Sequence, residues 1–149
     1  MQRKQRIAVL VASFFALTSC AITTAVKPVK DGNVGLVCVK QNDAIYSKEF
    51  GQGVVSLLEE KGIKATLYFS NDMPTTCSHR LEYTADWKWD MAMYLNTAKL
   101  NVYRGDELAG EALYDARQGA GSMKKFGSTA GKISPLLDQL FPGAGKSRN

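Results

Sequence analysis

The sequence predicts an α+β domain in two layers: a mixed five-stranded sheet with its helices on one face. Three observations predict it. A strand–helix–strand run occupies the first half, an alternating meander the second, and an apolar helical stripe lies near the C-terminus. The 149 residues are 45% hydrophobic and 22% charged, with 13 Gly and 4 Pro. That suits one core and argues against disorder, collagen and a polytopic membrane protein.

The first nineteen residues read as an export signal. Arg3, Lys4 and Arg6 form a charged start, and an apolar stretch runs from Ile7 to Leu17. That stretch is shorter than the ~20 apolar residues of a membrane-spanning helix. It ends in Leu17-Thr18-Ser19-Cys20, which resembles the bacterial lipobox. The resemblance implies a diacylglyceryl thioether on Cys20, cleavage before it and acylation of the new amino terminus. Stable anchoring needs two lipid signals or more, consistent with that modification. The alternatives are cleavage after a small residue such as Ala25, or an uncleaved anchor. By the usual lipoprotein sorting rule, Ala21 implies passage to the outer membrane. The expected location is the cell envelope, with the domain facing the periplasm and the lipid on Cys20 as its membrane contact.

Residues 20–33 have no periodicity and read as a tether. Val34 to Lys40 is a nearly continuous apolar run, as in a strand buried on both faces. Asn42 or Asp43 can cap a helix carrying Tyr46, Phe50, Val54 and Leu57/Leu58, which Gly62 would end. Gly51 and Gly53 weaken that helix, and close approach to the sheet is the expected return. Ile63, Ala65, Leu67 and Phe69 alternate with polar neighbours as a half-buried strand, parallel to the first through a right-handed crossover.

From Leu81 to Leu95 the odd positions are apolar; the phase then flips to Ala98, Leu100 and Val102. A bulge or bend is expected between Tyr94 and Ala98. Arg104-Gly105-Asp106-Glu107 is a two-residue hairpin turn of type II′, and the register it sets pairs Val102 with Ala109, Ala98 with Leu113 and Leu100 with Glu111. A loop from Gly119 to Met123 precedes a helix with Phe126, Ala130, Ile133, Leu137 and Leu140 on one stripe; Pro135 should kink or split it. The globular domain spans residues 34–141, and 142–149 reads as a disordered tail.

Three cysteines are odd for an exported chain, but lipidation of Cys20 leaves Cys38 and Cys77 as a disulfide pair. Two unrelated buried thiols are the alternative. Enzyme chemistry finds little support. Removing residues 1–19 lowers the net charge from +5 to +2, too little for a nucleic-acid face. The Gly131-Lys132 and Gly145-Lys146-Ser147 stretches lack the first glycine of a phosphate loop, and Gly119-Ala120-Gly121 lacks the third glycine of a dinucleotide fingerprint. No nucleotide or other cofactor is therefore expected. His79 is the sole histidine, and its neighbour Cys77 already has a partner, so no metal site is expected; with no G-x-S-x-G elbow and no serine–histidine spacing that marks a triad, no triad is read from the sequence. Asp86 and Asp90 are too far apart on an extended strand for a carboxylate pair, roughly 13 Å.

The most suggestive cluster is Trp87, Trp89, Met91 and Met93, in phase with Leu81 and Leu95. It is either core or a binding surface, with Trp87, Trp89, Asp90 and Tyr94 as the candidate partner contacts. The segment Tyr83-Thr84-Ala85-Asp86-Trp87-Lys88-Trp89-Asp90-Met91-Ala92-Met93-Tyr94-Leu95, with Tyr114-Asp115-Ala116 and Lys125-Phe126-Gly127-Ser128-Thr129-Ala130, resembles a family of small uncharacterised proteobacterial lipoproteins. That resemblance implies location and fold without an activity. The expected role is a non-enzymatic binding or accessory module for an envelope protein or lipid. A small periplasmic hydrolase or glycan-modifying enzyme, with a site assembled from distant residues, is the alternative.

Overall fold

The computed structural model describes residues 21–144. Cys20 and the segment before it, and residues 145–149, lie outside the described residues. In chain order the elements are β1 (Thr23–Lys27), β2 (Val37–Lys40), α1 (Phe50–Glu60), β3 (Ala65–Tyr68), β4 (His79–Asp90), β5 (Ala92–Arg104), β6 (Glu107–Asp115), a 3₁₀ helix (Met123–Phe126) and α2 (Thr129–Leu140). They form an α+β fold with one mixed sheet in the order β1-β6-β5-β4-β2-β3. Strand β2 runs parallel to both β3 and β4, and every other pairing is antiparallel.

The sheet has six strands rather than five. The additional one, β1, lies within residues expected to be a tether. Its sequence hides it because it is an edge strand with only Val26 partly buried, so no alternation marks it. Backbone pairing with β6, from Thr23 opposite Asp115 to Lys27 opposite Glu111, holds it in place. Val29 beyond it is buried, and its N–H donates to the Leu140 carbonyl at 2.8 Å.

Strand β2 is buried on both faces, as its composition requires. Val37 and Val39 join the main core, while Cys38 points to the other face and is bonded to Cys77. Helix α1 starts at Phe50, later than the sequence suggests. Asn42 instead closes a local turn, its Oδ1 accepting from Ala44 N and its Nδ2 donating to the Tyr83 carbonyl. Glu49 precedes the helix without a side-chain cap. Phe69, expected on the buried face of β3, lies beyond the strand's end and is 59% exposed.

Two bulges correct the meander. Asn96 is an extra residue on β5 between the Asp86–Thr97 and Trp87–Leu95 pairs, inside the interval where the phase flips. Ala109 is extra on β6, so Val102 meets Gly110, Leu100 meets Ala112 and Ala98 meets Tyr114. The register set by an unbulged turn would have put Leu100 against Glu111; the bulge removes that mismatch. The run from Leu81 to Leu95 is also not one strand. It reverses at Met91, with Asp90 opposite Ala92.

Helix α2 continues through Pro135 without a break and buries Ile133, Leu136, Leu137 and Leu140. Ser128 caps it, accepting from Gly131 N at 3.0 Å. Both helices contribute to one core with β2, β4, β5 and β6. Leu58, Leu137 and Leu140 are fully buried there, and truncating any of them to Ala would cost about 2–5 kcal/mol. Pro142–Ala144 form a turn that packs Ala144 on this core, so the expected tail is structured at its start.

Candidate functional site

The β4–β5 hairpin outruns its neighbours. Asp86, Thr97, Asp115 and Thr23 lie side by side in adjoining strands, and only the hairpin continues beyond them to Met91. Five residues at about 3.3 Å each give a projection of roughly 16 Å. The two tryptophans part company on it. Trp87 is half-buried, with its ring edge-on to Phe50 at 5.6 Å and tilted against Tyr46 at 6.2 Å. Trp89 lies one hairpin step further out and is 71% exposed. The question of core or surface thus has a different answer for each ring.

Met93 sits directly opposite Trp89, so their side chains share a face; Met93 is 43% and Met91 85% exposed. Met91 has a φ of 60°, left-handed backbone that costs a side-chain-bearing residue roughly 1 kcal/mol.

The hairpin is braced from the 3₁₀ helix. Lys125 is buried, and its Nζ donates to Asp90 Oδ2 and to the Ala120 carbonyl at 2.6 Å. The same ammonium lies 5.2 Å from the Tyr94 ring centroid and 5.0 Å from that of Phe126, and those rings meet edge-on at 5.8 Å. A buried lysine is tolerable only when paired in this way. Of the four candidate contacts, then, Asp90 and Tyr94 hold the hairpin and Trp87 roots it; Trp89 is presented, with the Asp90 carboxylate half-exposed beside it. The brace was missed because Lys125 reads as a solvated charge on its own; only the fold brings it to Asp90, 35 positions away.

A second cluster joins residues no motif marks. His79 is buried, with Nε2 at 2.8 Å from Asp31 Oδ2 and Nδ1 at 3.0 Å from Ser78 Oγ. Arg104 also donates to Asp31, at 3.1 Å. The hydrogen bond from His79 holds the Asp31 carboxyl below the usual carboxylate range. The adjacent Ser78 and His79 were a visible signal in the sequence. Ser78 Oγ, however, donates its one proton to the Leu36 carbonyl at 3.0 Å, with His79 Nδ1 also 3.0 Å away. It ties the starts of β2 and β4 together.

A polar cleft of about 340 Å³ lies past the end of β2, lined by Lys40, Gln41, Asn42, Glu82, Tyr83 and Asn101. An apolar groove between the helices is lined by Phe50, Val54, Leu57, Ala130 and Ile133. Ser78 lines neither. Among the described residues no group of three or more His, Cys, Asp or Glu is placed to hold a metal ion. No helix there is long and apolar enough to cross a membrane.

No family model matches the sequence, and no curated protein does. Solved structures do share the arrangement of strands and helices. In fold, the chain is similar to PelC. The PelC dodecamer from Paraburkholderia phytofirmans superposes with a TM-score of 0.50 at 12% identity, over 80% of this chain and 98% of that one. A methionine variant of the same dodecamer gives 0.51 at 12% identity, over 80% and 97%. At that identity the likeness to PelC concerns the fold alone.

Proposed function

We propose that this chain is a lipid-anchored envelope protein, held by an acylated Cys20, whose domain is a non-enzymatic binding or accessory module. The observation that carries the reading is the braced hairpin ending in Trp89 and Met91. Proteins rarely hold large apolar side chains in water on a rigid projection unless something covers them. The lipobox-like Leu17-Thr18-Ser19-Cys20 and the resemblance to small proteobacterial lipoproteins support the envelope location. The PelC structures are dodecamers, so self-assembly belongs among the outcomes to be measured.

The test is photo-crosslinking in intact cells with the probe at Lys88, which is exposed on the hairpin and outside the brace. Adducts to one envelope component support the module. Their absence, in a chain shown to be folded and exported, overturns it. Fractionation of Cys20→Ser checks the anchor independently, since an acylated Cys20 predicts loss of membrane attachment.

A second reading, a small hydrolase, has one observation in its favour: Ser78, His79 and Asp31 form a hydrogen-bonded row. The donation of the Ser78 proton to the Leu36 carbonyl weighs against it, although Asp31 does line a cleft with Val29, Val34 and Phe141. Covalent labelling of Ser78 by a fluorophosphonate would establish the hydrolase instead.

A further inference from the structure

We propose that the tip of the β4–β5 hairpin dips into the surface of the lipid bilayer, giving the domain a second membrane contact beside its anchor. This rests on the reading of Cys20 as the lipidated residue and names the partner that the hairpin meets.

The first argument is direction. Strand β1 enters the sheet at Thr23, which pairs with Asp115, and Asp115 pairs with Thr97 on β5. From Thr97 the hairpin runs outward to Met91. Ala21 and Ile22 therefore leave β1 on the same end of the sheet as the hairpin tip, and Cys20 precedes Ala21 by one residue. Side-chain contacts link the two. Ile22 lies so close to Gly119 that a Cβ there would come within 2.7 Å of it. The next carbonyl, that of Ala120, accepts from Lys125, which holds Asp90. A lipid on Cys20 thus places the bilayer on the hairpin side of the domain.

The second argument is chemistry. Among the described residues, four of the eight exposed large apolar side chains belong to the hairpin or its brace: Trp89, Met91, Met93 and Met123. Indole prefers the membrane–water interface, and unbranched methionine adapts to irregular surroundings such as acyl chains. Met91 occupies a left-handed position where glycine would be less strained, so the apex carries an apolar side chain at a conformational cost.

The third is charge. Lys88 is paired with Asp86, Lys125 with Asp90 and Arg117 with Asp115. Lys124, beside Met123, is exposed as well, so apolar burial drives the contact with a small electrostatic contribution that salt should weaken. Rigidity completes the case, since the brace leaves the tip ordered before it meets lipid.

The experiment uses the full chain purified from membranes and reconstituted into phosphatidylethanolamine–phosphatidylglycerol vesicles. The chain has two tryptophans, so Trp87→Phe leaves Trp89 as sole reporter. At an interfacial depth of roughly 5–10 Å, Trp89 emission shifts to the blue and falls by about half with lipids doxyl-labelled high on the acyl chain. Water-like emission, open to aqueous acrylamide and untouched by doxyl lipid, overturns the inference. Because Trp87→Phe alters a packed ring, a photo-crosslinker at the exposed Met91 provides a second reading in otherwise native protein. Phospholipid adducts support the inference; adducts only to a second copy or to another protein overturn it. Intact mass of the same sample reports acylation of Cys20, so failure of the anchor and failure of the tip are told apart.

Discussion

Lys125 reaches across from the 3₁₀ helix to the Asp90 carboxylate at the end of β4, and its ammonium is enclosed between the Tyr94 and Phe126 rings. Removing the cation leaves the carboxylate and the Ala120 carbonyl without their donor. Lys125→Ala should cost about 1–3 kcal/mol in urea unfolding. Hydrogen exchange should rise in the backbone from Asp86 to Asn96. Asp90→Asn keeps a partner for Lys125 and should cost less.

The two tryptophans should respond differently to the same substitution. Trp87 packs on Phe50 and Tyr46, and Trp87→Ala should lose about 2 kcal/mol, below the range for fully buried rings. Trp89→Ala should stay within about 0.5 kcal/mol, as exposed positions do. Thermal unfolding of the two variants separates them.

Gly51 and Gly53 make a second contrasting pair. A Cβ on Gly51 would stand 2.5 Å from the Tyr83 hydroxyl and 2.7 Å from Gln41 Oε1, whereas one on Gly53 meets nothing within 4 Å. Gly51→Ala should therefore destabilise by about 1–3 kcal/mol through overpacking. Gly53→Ala should stabilise by up to about 1 kcal/mol through helix propensity. Opposite shifts in the urea midpoint are the expected result.

The Cys38–Cys77 disulfide spans a sequence separation of 39 residues. Closing a loop of that length in the unfolded chain stabilises the fold by roughly 4 kcal/mol in the chain-entropy model. The double Ser variant should lose most of that. Reduction of the wild-type protein should lower its urea midpoint to a similar value.

Stability should fall on the acid side because of Asp31. His79 and Arg104 hold its folded-state carboxyl below the unfolded value near ~3.9. The contribution is present above that value and is lost as pH falls through the lowered one. Urea midpoints should drop between pH 5 and pH 3, and drop less in Asp31→Asn. Asp115, lowered in the same way by Arg117, should keep some acid sensitivity in that variant.

Much of the interior follows from local pattern. The apolar run at Val37–Val39, the helical spacing of Ile133, Leu137 and Leu140, and the hairpin turn at Gly105, with its φ of 59°, are each where the residues place them. So is the bulge at Asn96, because a phase flip in a period-two run has no other cheap explanation. The pairing of Cys38 with Cys77 also follows, given that Cys20 is set aside.

What escaped local pattern depends on distant pairing. The reversal at Met91 keeps odd positions apolar on both sides of the turn and uses no glycine, so the alternation runs through it unmarked. Strand β1 is held by backbone bonds to β6, which need no side-chain code. The bulge at Ala109 is chosen because it exchanges Glu111 for Ala112 opposite Leu100. Periodicity reports which side of its own element a residue occupies. Whether that side meets core or water is decided by what the fold packs over it. Phe50 and Tyr46 cover Trp87, whereas Trp89, two residues on in the same alternation, stays exposed.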